Sequence, residues 1–182
     1  YSIDNKTVIE NVEVVNCKNG IALGNMAMAT IKGANISAKG YGIRMDGEKT
    51  RTVAATIENA KISAYIPVNV RKMNDDACNV VVKFVDNAAG LEGTSDYEIA
   101  FCANEYEEGV APQNPVGTFT LQNAEGFEAY YGDITSFSAF DAAINSVDYP
   151  VVTPENDITM LGLGVEVERD VTIDFAGYEF NA

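Results

Sequence analysis

The chain has 182 residues, with 27 acidic against 12 basic side chains, a formal net charge of −15 and no histidine. That charge disfavours nucleic-acid phosphates and anionic membrane surfaces as partners, and the missing imidazole excludes Ser-His and Cys-His nucleophilic systems. A chain of this length buries roughly 70% of its unfolded surface, so a single domain over 1–182 is expected without a disulfide framework. Its longest apolar run, Ile158 to Val167, is too short and Gly-rich to span a bilayer.

Residues 1–6 (YSIDNK) lead directly into strand-and-corner pattern, and Tyr1 stands where an unprocessed chain would carry Met. The expectation is a mature or excised form, with any targeting segment out of view. From Thr7 the chain then repeats itself: TVIENVEVVNCKNGIAL, ATIKGANISAKGYGIRM from Ala29, and ATIENAKISAYIPVNV from Ala55. Ile9, Ile31 and Ile57 align, as do Val14, Ile36 and Ile62, then Ile21, Ile43 and Val68, and then Leu23, Met45 and Val70. A period of about two dozen residues marks a solenoid whose unit cannot bury its own apolar face. Within a unit the apolar residues recur two apart, which is the strand period, so the coils are β.

Corner residues share columns as well. Asn11, Gly33 and Asn59 form one column, and Gly20, Gly42 and Pro67 another. Beside the first isoleucine column the charges read Glu10, Lys32, Glu58 and, in a weaker fourth coil (VVVKFVDNAAGLEG), Lys83. Alternating signs on adjacent strands give favourable neighbours, whereas like charges would repel.

The coils are expected to run to Phe101 (1–101), with polar loops at Met45–Thr52 and Met73–Asn79. Cys78 and Cys102 lie about one coil apart, and a disulfide and a pair of buried thiols fit that spacing equally well. Over 102–135 the repeat is lost and reads as an irregular flank or cap containing one strand, Thr118–Leu121. SFSAFDAAINSV then places Phe137, Phe140, Ile144 and Val147 on one face, which predicts a short amphipathic capping helix around 136–147. After it, 136–182 closes with alternating strands ending in VTIDFAGYEF.

Units such as TIKGANISAKGYGIRM, with an inward Ile, a corner Asn or Gly and a second strand ending near Gly, resemble coils of the right-handed parallel β-helix of the pectin-lyase-like superfamily. The resemblance implies an all-β solenoid. It does not imply one function, because the same coil carries lyases, hydrolases and non-catalytic surface adhesins. In that superfamily an amphipathic helix followed by a motif like VTIDFAGYEF resembles the beginning of the fold, here placed at the C-terminus. A start-like C-terminus and a Tyr1 inside the coil pattern fit a circular permutation, a unit cut from a tandem array, or a head-to-tail contact between copies, and the last is the expectation carried forward. Its edges would be Tyr1, Ile3 and Ile9 on one side and Ile173, Phe175, Tyr178 and Phe180 on the other.

The resemblance also directs attention to a basic proton abstractor and to calcium carboxylates. Arg44 and Asp46 end one strand, and Arg71 falls by register above Asp46. An arginine is a poor base, with a pKa above about 12, so an inter-rung salt bridge is the favoured reading. Tyr41 and Tyr65 on consecutive coils offer a stacking surface for a glycan, or simply cover a corner. Asp75 and Asp76, with Glu105, Glu107 and Glu108, offer oxygen ligands for Ca²⁺ but lack the spacing of a dedicated site, so no cofactor is expected. The expectation is an extracellular or cell-surface structural or adhesive module, not an enzyme, self-associating head to tail and free of nucleic acid. The alternative is a carbohydrate-active enzyme or carbohydrate-binding module of the same superfamily.

Overall fold

A computed structural model describes residues 6–24, 27–47, 52–85, 90–95, 97–104, 113, 115–124, 126–127, 129–130, 140, 143–144, 151–159, 167 and 169–181, excluding the side chain of Asp76. They group into two compact units, 1–131 and 132–182, taken separately below.

The first unit is a parallel β-solenoid. One sheet contains β1 (Lys6–Glu10), β3 (Met28–Lys32), β5 (Thr52–Glu58), β8 (Asn74–Val85) and β11 (Val116–Gln122), in that order. The second contains β2 (Glu13–Leu23), β4 (Asn35–Asp46), β6 (Lys61–Ala64), β7 (Ile66–Arg71), β9 (Gly90–Gly93), β10 (Ile99–Phe101) and β12 (Ala129–Tyr130). There β4 pairs with β2 and β6 near its start and with β2 and β7 near its end, so the long strand spans two faces of the coil.

The apolar columns fall as the repeats place them. Ile9 pairs with Ile31, Ile31 with Ile57 and Ile57 with Phe84. Val14 pairs with Ile36, Ile36 with Ile62 and Ile62 with Leu91. Ile21, Ile43, Val68 and Ile99 form the third column, and Leu23, Met45, Val70 and Phe101 the fourth. All but the first coil's Ile9, Val14 and Ile21, and Leu91, are buried in one core, in which Phe101 stacks on Phe119, their rings 4.7 Å apart.

Two corner columns show why only certain residues serve there. Asn11, Gly33 and Asn59 all have left-handed backbone, with φ of 53°, 61° and 49°. Asn and Gly tolerate that region best. At Gly42 a Cβ would collide with the Ile62 methyl and the Pro67 carbonyl, and at Gly20 with the Gly42 carbonyl and an Ile36 methyl. The inward isoleucines of the neighbouring face already fill that space.

Three expectations need correction. Lys83 pairs with Thr56 and Gln122, and Val85 stands beside Glu58, so the charge column is Glu10, Lys32, Glu58 and then a valine. Phe84 takes the inward isoleucine place and fixes that register. Lys32 and Glu58 meet at 3.2 Å. Second, the stretch read as a loop at Met73–Asn79 belongs largely to β8, with Cys78 buried in the core. Third, the stretch read as an irregular flank carries a fifth rung, because β11 pairs with β8 and β12 with β10. The longer connection before β11 hides the period, yet Phe119 and Leu121 still occupy the Val80 and Val82 columns.

The second unit contains β13 (Val151–Val152), β14 (Ile158–Thr159), β15 (Thr172–Ile173) and β16 (Phe180–Asn181). Both pairs, β13 with β15 and β14 with β16, are parallel, the pairing of stacked coils. Ala176 and Gly177 turn the chain with φ of 50° and 95°, and Asp174 Oδ1 accepts from the Ala176 N–H at 3.0 Å. Of the expected capping helix only Phe140, Ala143 and Ile144 are described; they are buried with Val152 and Ile158, and the helix as an element lies outside the described residues. The rings of Phe140, Phe175 and Phe180 form a triangle, with Phe140 6.0 Å from Phe175 and 5.5 Å from Phe180, and those two 6.2 Å apart. No described helix is long and apolar enough to cross a membrane.

Ile36→Asp places an unpaired charge between Val14 and Ile62 and costs several kcal/mol, comparable with a domain's whole stability of ~5–15 kcal/mol. Loss of the cooperative melting transition is expected by circular dichroism. A midpoint within a few degrees of the parent would contradict the register.

Candidate functional site

The polar groups converge on the outer face of the second sheet, where β2, β4, β7, β10 and β12 lie side by side. Alternation along these strands sends Ile43, Met45, Val68 and Val70 inward, so Arg44, Asp46, Asn69 and Arg71 point outward. One outward column runs Ala22, Arg44, Asn69, Ala100, Tyr130. The neighbouring column sets Asp46 beside Arg71.

Asp46 is the hub. Arg71 donates to it through Nε at 2.6 Å and through a terminal nitrogen at 3.4 Å, and Lys72 Nζ donates at 2.8 Å. Arg44 Nε stands 3.7 Å from the same carboxylate, beyond hydrogen-bond distance. Burial is the largest single influence on the Asp46 carboxyl and works against its charge, but the bonds and charges of Arg71 and Lys72 together hold it below the usual aspartate range. The arrangement ties two rungs together; the carboxylate is bonded by two cations, with the Arg44 charge nearby at 3.7 Å.

Beside this hub lies a less satisfied pair. Asn69 is fully buried, and neither its amide nitrogen nor its oxygen makes a hydrogen bond. Arg44 Nε is likewise buried without one. Tyrosines apart, Asn69 is the one buried polar or charged side chain among the described residues. The sequence signal for it was present in the alternation Val68-Asn69-Val70, which sends a polar residue to the outside between two inward valines. Lys72 could have been found from its place next to Arg71.

The remaining candidates disperse. Tyr41 is 2% exposed and packs with Ile66, Ala100, Cys102 and Tyr130, with Tyr65 and Tyr97 half-buried against them. Tyr41 and Tyr65 do come together, since Tyr41 pairs with Ile66, but a buried Tyr41 offers no ring face to a sugar. Asp75 lies in β8, where its Oδ1 accepts from the Ala77 N–H at 3.0 Å. The side chain of Asp76 lies outside the described residues, and so do Glu105, Glu107 and Glu108. No group of three or more candidate metal ligands occurs among the described residues. Cys17, Cys78 and Cys102 are all thiols. Cys78 belongs to the interior core and Cys102 to the cluster of Tyr41 and Tyr130. Of the expected assembly edges, Tyr1 and Ile3 lie outside the described residues. Ile9, Ile173, Phe175 and Phe180 are half-buried, and Tyr178 is exposed.

The depressed Asp46 carboxyl sets a pH dependence. Its stabilisation is fully present above the ordinary aspartate range, near pH 3.9, and is lost as pH falls through its lower folded-state range. Asp46→Asn is expected to cost about 1.5–3 kcal/mol near neutral pH. In urea unfolding the gap between variant and parent should narrow below about pH 4; a gap that widens on acidification would contradict this. No protein-family model, curated protein or solved structure matches the chain.

Proposed function

We propose that the chain is a non-enzymatic β-solenoid module, structural or adhesive, working at a cell surface or outside the cell. In the finer reading it is a right-handed parallel β-helix of the pectin-lyase-like kind. The observation that carries this reading is the use of charge on the outer face: the cations that an enzyme of this kind would direct at substrate are gathered around Asp46, with Arg71 and Lys72 bonded to it. An arginine whose pKa lies above about 12 does not act readily as a base without strong perturbation.

The partner in this reading is a second copy, head to tail. In the first described rung Ile9, Val14 and Ile21 are half-buried, while Val8 and Val15 are exposed. In the second unit, Ile173, Phe175 and Phe180 are half-buried. One rung stacked on the other would extend both ladders of main-chain hydrogen bonds and bury these side chains, and such a heterologous contact propagates as a fibre.

The competing reading is a carbohydrate-active member of the same superfamily, favoured by Arg44, whose Nε has no hydrogen bond. Assays for unsaturated and reducing ends released from polygalacturonate and related glycans separate the two. No turnover is expected from the parent or from Arg44→Ala; turnover that Arg44→Ala abolishes would overturn the non-enzymatic reading. Sedimentation velocity is expected to show concentration-dependent association, and a monomer at every concentration would overturn the head-to-tail partner.

A further inference from the structure

In the column Ala22, Arg44, Asn69, Ala100, Tyr130 the adjacent pair Arg44 and Asn69 is flanked by two alanines, which offer no side-chain hydrogen-bond partner. Asn69 has small Ala100 on one side and Arg44 on the other. Its Nδ2, its Oδ1 and Arg44 Nε are all closed off from solvent, and none of the three makes a hydrogen bond. A buried polar group left in that state is a standing cost to the closed face, and native structures normally avoid it. Asp46 does not relieve it, because its oxygens are held by Arg71 and Lys72 and the Arg44 Nε contact is 3.7 Å.

The three atoms form a donor and acceptor pattern that a carboxylate with a neighbouring donor complements. Arg44 Nε and Asn69 Nδ2 are donors on adjacent strands, suited to the two oxygens of a carboxylate, and Arg44 supplies the opposite charge. Asn69 Oδ1 is an acceptor and asks for a donor on the atom next to that carboxylate. We propose that Arg44 and Asn69 form a binding site for a carboxylate carrying an adjacent hydrogen-bond donor, the group shared by α-hydroxy acids and by the C-terminal residue of an acylated peptide. The face is shut in this structure, so binding accompanies its opening, and the unmade bonds of Asn69 lower the cost of opening. The site does not depend on whether the chain is structural or enzymatic.

The pattern makes a sharp demand on selectivity. Glycolate represents the hydroxy-acid source and N-acetylglycine the peptide source, while acetate presents the same charge without the donor. Titration calorimetry and thermal melting at matched sodium concentration are expected to show that glycolate, N-acetylglycine or both bind at least about tenfold more tightly than acetate; whichever is tighter names the source. Asn69→Leu is expected to raise the melting midpoint of the unliganded protein and to abolish the difference between the ligands. Arg44→Gln, which keeps a donor but removes the charge, is expected to weaken all of them, and it carries the test if Asn69→Leu does not fold. Acetate binding as tightly as both donors, or no binding by any of the three, would overturn the site. So would an unchanged preference in Asn69→Leu.

Discussion

The inward side chain of each coil has one place to go, against the same column on the coil above and below. Parallel strands stand about 4.8 Å apart, so successive side chains in a column pack against one another and the column accepts a narrow range of shapes. Ile9, Ile31, Ile57 and Phe84 satisfy that demand on one face and Ile21, Ile43, Val68 and Ile99 on another. The corners inherit the constraint. Gly20 and Gly42 lack side chains because the Ile36 and Ile62 methyls reach into their space.

The outer face follows from the same register. Because Val68 and Val70 must face inward, Asn69 is committed to the outside, and because Met45 faces inward, Arg44 and Asp46 flank it on the outside as well. The coil period then sets Arg71 beside Asp46 and Asn69 beside Arg44. No separate device is needed to bring these groups together; a slip of one residue would turn every one of them into the core. Burying the charged hub in that way would be prohibitive, so the polar residues outside reinforce the register chosen by the apolar residues inside.

Much of this was legible in the residues. The three repeated units give strand direction, face and register, since apolar columns, corner columns and the Glu10–Lys32–Glu58 charge column all agree. Legibility ended where a rung changed length. In β8 the run VVVKFV fits two registers by hydrophobicity alone, and the one adopted sets Phe84 beside Ile57. Before β11 a long connection breaks the period, so a rung that keeps Phe119 and Leu121 in column was read as a flank. The outer face was half legible: Asp46 with Arg71 follows from spacing, but the burial of Tyr41 comes from packing with Ala100, Cys102 and Tyr130 of later rungs, and no local pattern marks Asn69 as buried.

The central claim is the rung-by-rung register, and a cross-link tests it directly. Thr30 and Thr56 are partners on adjacent parallel strands and face outward, within the reach of a disulfide. Thr30→Cys with Thr56→Cys, in a Cys17→Ser background, should bridge on mild oxidation while the fold is retained, with a corresponding loss of two reactive thiols. Failure to bridge in the folded protein, or equal bridging when Thr56→Cys is replaced by Glu58→Cys, would contradict the stacked columns on which the fold and its outer face both rest.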